Sequence, residues 1–488
     1  MKRLLSIAAI GSLLAALIFV VQPVWAGDVD QRIQALEDEL ARLKGEQMEL
    51  KKEATAAAAA LPAFSYRPGS GILMEAADKS WSLRTHLRFH TWVVFEEGKD
   101  QVGRSKGEVA ARRVRPTWYF CLNNCFYEAE VAIDLDGFQT GSGHSSGADT
   151  SNGSVMQRAV GYVHFENINP WLPTFYMGAD GPADISSYRQ GSSNTSAQLE
   201  YDILTRNTGF NTGRFGTGMG LRWEDLPLGP IGIPGRARLN FTSARHAEGD
   251  DGITSNTDRK SFSVFTQIQP FTQLKNKWLT GLGFSVGAWF CNFDDRASDN
   301  GCDELRIRDH GPFGRQDLFR TDGGLIGDGT HHLVTPSFRW AIGPYELRAH
   351  GAWQRYENSP IRGRNFLIAH QLNVWSPKGW LTGGINDRGT FYVGYHFERN
   401  DVSCSFTSGS TCEVSNQFHR NRIILNEWDM WYVIQRGMNV GLAFLWYDAS
   451  NLRSGNGRAQ ENLLETNSTT SGKGGDWLDV ILAWRWQF

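Results

Sequence analysis

"DVILAWRWQF", residues Asp479 to Phe488, closes the chain on an aromatic. Val480, Leu482, Trp484, Trp486 and Phe488 take turns with Asp479, Arg485 and Gln487. Successive side chains of a strand point to opposite faces, so a strand here shows one face to oil and offers the other to water. A soluble protein usually ends in a frayed polar tail. What lies against each face of this strand decides the fold.

The same period of two runs back through the chain. "WSLRTHLRFH" (Trp81 to His90) sets Leu83, Thr85, Leu87 and Phe89 against Arg84, His86, Arg88 and His90. "RRVRPTWYF" sets Val114, Pro116, Trp118 and Phe120 against Arg113, Arg115, Thr117 and Tyr119. "YEAEVAIDLD" opposes Tyr127, Ala129, Val131, Ile133 and Leu135 to Glu128, Glu130, Asp134 and Asp136. "RARLNF" and "FYVGYHFE" continue it, with Arg236 and Arg238 on one polar face and His396 and Glu398 on another.

Alternation alone fits any half-buried sheet. A soluble sandwich spans about 100 residues and joins its neighbours by linkers. Here the alternation runs on from Trp81 to the end with no break in composition. Short turns such as "LNN" (Leu122 to Asn124) and "IGPY" (Ile342 to Tyr345) exchange with long polar loops such as His144 to Ser154. That pattern predicts an all-β fold: a transmembrane antiparallel β-barrel of about 16 strands, lipid outside and water inside. Closure is required, because an open edge in hydrocarbon leaves backbone groups unpaired.

The bulk numbers agree. Among 488 residues are 53 Gly and 18 Trp, and the net charge is −3, which excludes the strong positive field of a nucleic-acid binder. The mean hydropathy of −0.38 argues against a bundle of membrane helices, while a barrel meets lipid with only every second strand residue. Residues 1–26 read as a secretory signal peptide: Lys2 and Arg3, an apolar run from Leu4 to Val21, Pro23, then Val24-Trp25-Ala26. The competing reading is an uncleaved anchor. Removing Lys2 and Arg3 takes the charge from −3 to −5. Six cysteines fall in three close pairs, Cys121 with Cys125, Cys291 with Cys302, and Cys404 with Cys412. In an exported chain an even count favours disulfides; a zinc site would need four ligands brought together, and no Cys-x2-Cys spacing is present.

Residues 27–61 form a separate segment. "VDQRIQALEDELARLKGEQMELKKE" places Ile33, Leu40 and Gln47 on heptad a positions and Val29, Leu36, Leu43 and Leu50 on d. The g-to-e′ pairs of a parallel, in-register oligomer, Arg32–Glu37, Glu39–Lys44 and Glu46–Lys51, are all opposite in sign. Self-association as a coiled coil is expected, against the alternative of one amphipathic helix lying on its own domain. Ala56 to Ala60 and Pro62 lead out as a spacer, and the barrel is expected over 62–488.

Several of these stretches resemble a known family. "ARRVRPTW" followed by "YEAEVAIDLDG", then "GRFGTGMGLRW", "THHLVTPSFRWAIGPYELRAH", "GTFYVGYHFERND" and the terminal "WLDVILAWRWQF" resemble, in order, strands of the phosphate-selective porins of the O/P type. The resemblance covers most of the chain after residue 66, and its specificity lies in the ordered series rather than in any one motif. It implies trimers of 16-stranded outer-membrane barrels passing small anions, phosphate among them. The terminal aromatic also resembles the signature by which the assembly machinery recognises such barrels.

Selectivity would sit on the inner wall. After Pro62 there are 34 Arg and 8 Lys. Arg is always charged, and its planar fork matches oxyanions. Arg84, Arg88, Arg113, Arg115, Arg236, Arg238, Arg339, Arg348 and Arg485 fall on the expected inward face. They line an anion path, or they simply keep a porin wall wet alongside acids such as Glu128 and Glu130. By the resemblance, residues 178–214 match the loop that folds into the lumen. That segment holds Arg189, Arg206 and Arg214 against Asp180, Asp184, Glu200 and Asp202, and it has no Lys. Phosphate-selective members place lysines there, so the chain departs from them at the constriction.

Catalytic and cofactor chemistry finds no foothold. "GTGMG" (Gly216 to Gly220) lacks the Lys-Ser/Thr of a phosphate loop, and adjacent His331 and His332 point to opposite strand faces and cannot share a metal. The expected partners are copies of the chain, outer-membrane lipid and small anions, with periplasmic or cell-wall contact through the coiled coil. An alternative within the same fold is a weakly selective general pore. Another is a structural barrel that anchors the coiled coil to the envelope.

Overall fold

The computed structural model describes residues 26–60, 62–98, 106–135, 155–179, 217–228, 233–243, 260–272, 274, 276–293, 306–308, 317–320, 329–357, 361–379, 387–404, 420–448 and 476–488. Residues 1–25 of the expected signal segment 1–26, and nearly all of 178–214, lie outside them. The chain divides at Pro62 into two units. In the first, one helix, α1, spans Ala26–Ala60, and its apolar residues from Ile33 to Leu50 are exposed.

The second unit is sheet. Its strands begin with β1 (Ala63–Arg67), β2 (Gly71–Glu75), β3 (Trp81–Gly98), β4 (Lys106–Leu122), β5 (Tyr127–Asp134), β6 (Val155–His164) and β7 (Thr174–Ala179). Next come β8 (Thr217–Leu228), β9 (Ile233–Ser243), β10 (Lys260–Ile268), β11 (Leu282–Phe293), and a separate short hairpin, β12 (Arg306–Arg308) with β13 (Asp317–Arg320). The last seven are β14 (Gly329–Ile342), β15 (Tyr345–Tyr356), β16 (Ile361–Trp375), β17 (Phe391–Cys404), β18 (Arg420–Gln435), β19 (Met438–Asp448) and β20 (Asp476–Gln487). Gly178 and Ala179, assigned to the loop from sequence, belong to β7.

From β3 to β20, leaving aside β12 and β13, each strand pairs antiparallel with the next, and β20 returns to β3 to close a 16-strand barrel. The lane beside β3 is shared. Its residues 88–98 pair with β20, the Phe488 N–H donates to the Leu87 carbonyl at 3.0 Å, and its residues 82–85 pair with β2. The β1–β2 hairpin therefore continues the last strand in line. Its turn fits against the β18–β19 turn only because Gly69 and Gly437 both lack a Cβ; one added at Gly437 would lie 2.5 Å from the Gly69 Cα.

Along the strands of the closed ring one face is the more buried and the other the more exposed. On β18, Ile423, Leu425, Glu427, Asp429, Trp431 and Val433 are buried while Trp428, Met430 and Tyr432 between them are exposed. Closure makes the buried face the inner one. The outer face is largely apolar and open: Phe241 is 49% exposed, Trp353 52% and Leu482 47%. Near the short turns it carries aromatic clusters, such as Trp340 donating to the Trp278 carbonyl at 2.7 Å and Trp486 with its ring 4.1 Å from that of Phe488. A closed sheet with such an exterior is an integral membrane protein: all its ladder bonds are satisfied within the ring, and the aromatics sit where apolar and wet surfaces meet.

Candidate functional site

The inner wall is the functional surface a barrel offers. At the seam, β20, β3 and β4 run side by side, so that Arg485 stands opposite His90, and His90 opposite Arg113. One step nearer the short turns, Arg88 stands opposite Arg115, and Arg84 lies beyond it opposite Tyr119. All nine arginines singled out from sequence occur on the face that carries the buried residues.

Pairing reveals an arrangement that no single strand shows. Among the described residues of the inner wall, three pairs of arginines stand directly opposite one another on neighbouring strands: Arg88 and Arg115, Arg222 and Arg238, and Arg339 and Arg348. Like charges in that position repel and destabilise a sheet. In two of the three a single carboxylate sits between the forks. Glu224 lies 2.9 Å from Arg238, 3.0 Å from Arg236 and 3.6 Å from Arg222. Glu346 lies 2.9 Å from Arg339 and bonds to Arg348 as well. Each group keeps more positive than negative charge. Arg222, absent from the sequence-based set, also packs its guanidinium 4.8 Å from the Tyr162 ring. The missed signal was "RWE" (Arg222 to Glu224), an Arg-x-Glu on one strand face.

The wall between β16 and β20 has a different character. His396 is fully buried between Glu427 at 3.0 Å and Glu398 at 3.5 Å. Asn365 and Asn400 both donate to Glu398, at 2.6 and 3.0 Å. Asp429 and Asp479 are buried on the same face, and Arg485 lies 3.7 Å above the Trp431 ring. Glu427 and Asp429 were legible at period two in "LNEWDMW" (Leu425 to Trp431) but went unassigned.

One expectation needs correction. The inner face is not polar throughout, since Trp92, Val94, Trp289, Leu333, Ile423, Leu425 and Ile481 lie on it with little or no exposure. They interrupt the charged face in mid-strand, where alternation between polar and apolar residues gives way to runs such as "VIL". The carboxylates and arginines of the expected constriction loop, Arg189, Arg206, Arg214, Asp180, Asp184, Glu200 and Asp202, lie outside the described residues. Cys121 and Cys125 form a disulfide. Cys291 is disulfide-bonded too, while the side chains of Cys302, Cys404 and Cys412 lie outside the described set.

No family model matches the chain, and no curated protein matches it in sequence. Among solved structures it is similar to the anion-selective porin from Comamonas acidovorans, at 10% identity over 84% of this chain and 100% of that one, with a TM-score of 0.49. OprB of Pseudomonas putida shares 8% identity over 83% and 94%, with a TM-score of 0.49. OmpF of Salmonella typhi shares 12% over 87% and 100%, with a TM-score of 0.44. These likenesses are of architecture.

Proposed function

We propose that the protein is an outer-membrane porin, a passive diffusion channel for small hydrophilic solutes that favours anions, phosphate-like oxyanions among them. The observation that carries this is the set of opposed arginine pairs on the inner wall of a closed membrane barrel. Fixed charge in a narrow, low-dielectric channel selects by sign, because little water is there to screen it. Guanidinium forks also match oxyanions in shape. Arg84, Arg88, Arg113, Arg115, Arg236, Arg238, Arg339, Arg348 and Arg485 would line that path, with residues 178–214 forming the constriction. The porin would work as a homo-oligomer, a trimer by resemblance, with α1 associating as a coiled coil in the periplasm.

A planar bilayer tests the reading. Purified protein should give stepwise conductance in threes, reversal potentials in a KCl gradient of anionic sign, and a chloride current that added phosphate blocks. Silent membranes would reject the channel. A second reading draws on the buried apolar residues of the inner wall: a barrel closed to solutes that anchors α1 to the envelope. Silent membranes together with stable insertion would favour it.

A further inference from the structure

Among the described residues, arginine on the outer face is confined to one patch. Among the described barrel residues, the outward-facing arginines are Arg355 on β15, Arg362 and Arg364 on β16, Arg399 on β17 and Arg422 on β18. Four consecutive strands bring them together near the long loops. Arg355 stands opposite Arg362; Arg364 stands opposite Asp401, which in turn stands opposite Arg422.

Asp401 accepts from Arg399 at 2.7 Å and from Arg422 at 2.9 Å. Among the described residues, no hydrogen bond or ion pair holds Arg355, Arg362 or Arg364. The nearest other acids on this face are Glu357, two residues on from Arg355, and Asp448, opposite Ile424. Among the described residues five guanidinium groups thus face three carboxylates. Arg355 and Arg362 repel across their strand pair with no acid between them.

The level of the patch gives the repulsion a purpose. Trp353 stands directly opposite Arg364 and Phe366 opposite Arg399, Trp428 is exposed further towards the short turns on β18, and below them the outer face of these strands is apolar apart from His370. The arginines thus start at the long-loop edge of that lipid-facing belt, beside Trp353 and Phe366, and extend beyond it. Headgroups lie at this depth in a bilayer, and phosphate is the acceptor that an arginine fork binds with two parallel hydrogen bonds.

We propose that this patch binds the phosphate of an anionic lipid headgroup in the leaflet on the long-loop side. The bound lipid cancels the Arg355–Arg362 repulsion while its chains lie along Trp353 and Phe366. The proposal rests on the barrel's lying in a bilayer and is independent of what the pore conducts.

The test uses the full chain in neutral detergent, with phosphatidic acid as probe and native mass spectrometry as readout. The parent protein should retain phosphatidic acid and not phosphatidylcholine. The variant R355Q/R362Q/R364Q should bind phosphatidic acid about a hundredfold more weakly, as expected for three basic residues at a membrane surface. Its pore conductance should be that of the parent. Equal retention by parent and variant overturns the proposal. So does ready displacement of the lipid by millimolar inorganic phosphate, which would make the patch a free-ion site. Insertion into vesicles, followed by the gel shift between folded and heat-unfolded barrel, separates a failure of the lipid site from a failure of the membrane reading.

Discussion

Arg222 and Arg238 stand directly opposite each other on β8 and β9, and both reach the one carboxylate of Glu224, at 3.6 and 2.9 Å. With Arg236 at 3.0 Å, three cations share a single anion. Glu224→Gln keeps the shape and removes the charge. A like-charged cross-strand pair costs about 0.2–1 kcal/mol, and more than a third of Arg236 and Glu224 is exposed, so screening holds the loss near the lower end. The larger effect is expected in the channel: the reversal potential in a KCl gradient should move further towards the chloride value. An unchanged potential would place this group away from the conducting path.

The faces were legible in the sequence because strand side chains alternate strictly, and a face can be assigned without knowing the neighbour. Arg84 and Arg485 could be set inward on that ground alone. Neighbours cannot be had the same way. That Arg222 meets Arg238, or that Arg355 meets Arg362, depends on register, which shifts with each turn and bulge, such as the one between His90 and Thr91 in the pairing with β4. The β1–β2 hairpin escaped notice because its strands are only 5 residues each, too short for the alternation of Phe64 and Tyr66 with Ser65 and Arg67 to stand out. Ile481 and Leu333 escaped because an inward apolar residue looks, in sequence, like a break in the pattern.

Leu482 tests the outer face. It lies 47% exposed between Leu442 of β19 and Val93 of β3, within the apolar belt. Leu482→Arg should cost about 2–4 kcal/mol if the site is near the bilayer midplane. Folding yield into lipid vesicles, read by the gel shift between folded and heat-unfolded barrel, should fall sharply. If the yield matches that of the parent, Leu482 does not face hydrocarbon.

The β4–β5 turn is held covalently. Asn123, Asn124 and Cys125 follow one another with φ of 51°, 53° and 59°, a left-handed run that side-chain-bearing residues disfavour. The Cys121–Cys125 disulfide spans it. Because the closed loop is short, chain entropy puts its contribution at only about 2 kcal/mol. Cys121→Ser with Cys125→Ser should lower the unfolding midpoint in denaturant by a correspondingly small step and leave conductance intact. A loss of the folded barrel would mean that the turn nucleates assembly, a larger role than loop closure allows.

The helix α1 leaves Ile33, Leu36, Leu40, Leu43 and Leu50 half or more exposed, so the question is how copies would cover them. In an antiparallel pair, a residues meet d residues: Gln47 would be buried against Leu36, and Glu39 would face Glu46 across the g positions. In a parallel pair, Gln47 meets its own copy, where two amides can satisfy each other, and every g–e′ pair is opposite in sign. The parallel form wins on both counts. In it, Ile33 also meets its own copy, whereas in the antiparallel form the two would lie about 25 Å apart, from 17 residues at the helical rise. Full-length Ile33→Cys, oxidised with copper–phenanthroline in detergent, should therefore yield covalently linked copies. Adding Leu36→Lys and Leu43→Lys, both changes to good helix formers, should abolish the linkage by charging the seam. An Ile33→Cys protein that conducts normally yet never cross-links would show that the barrel works without this helix pairing.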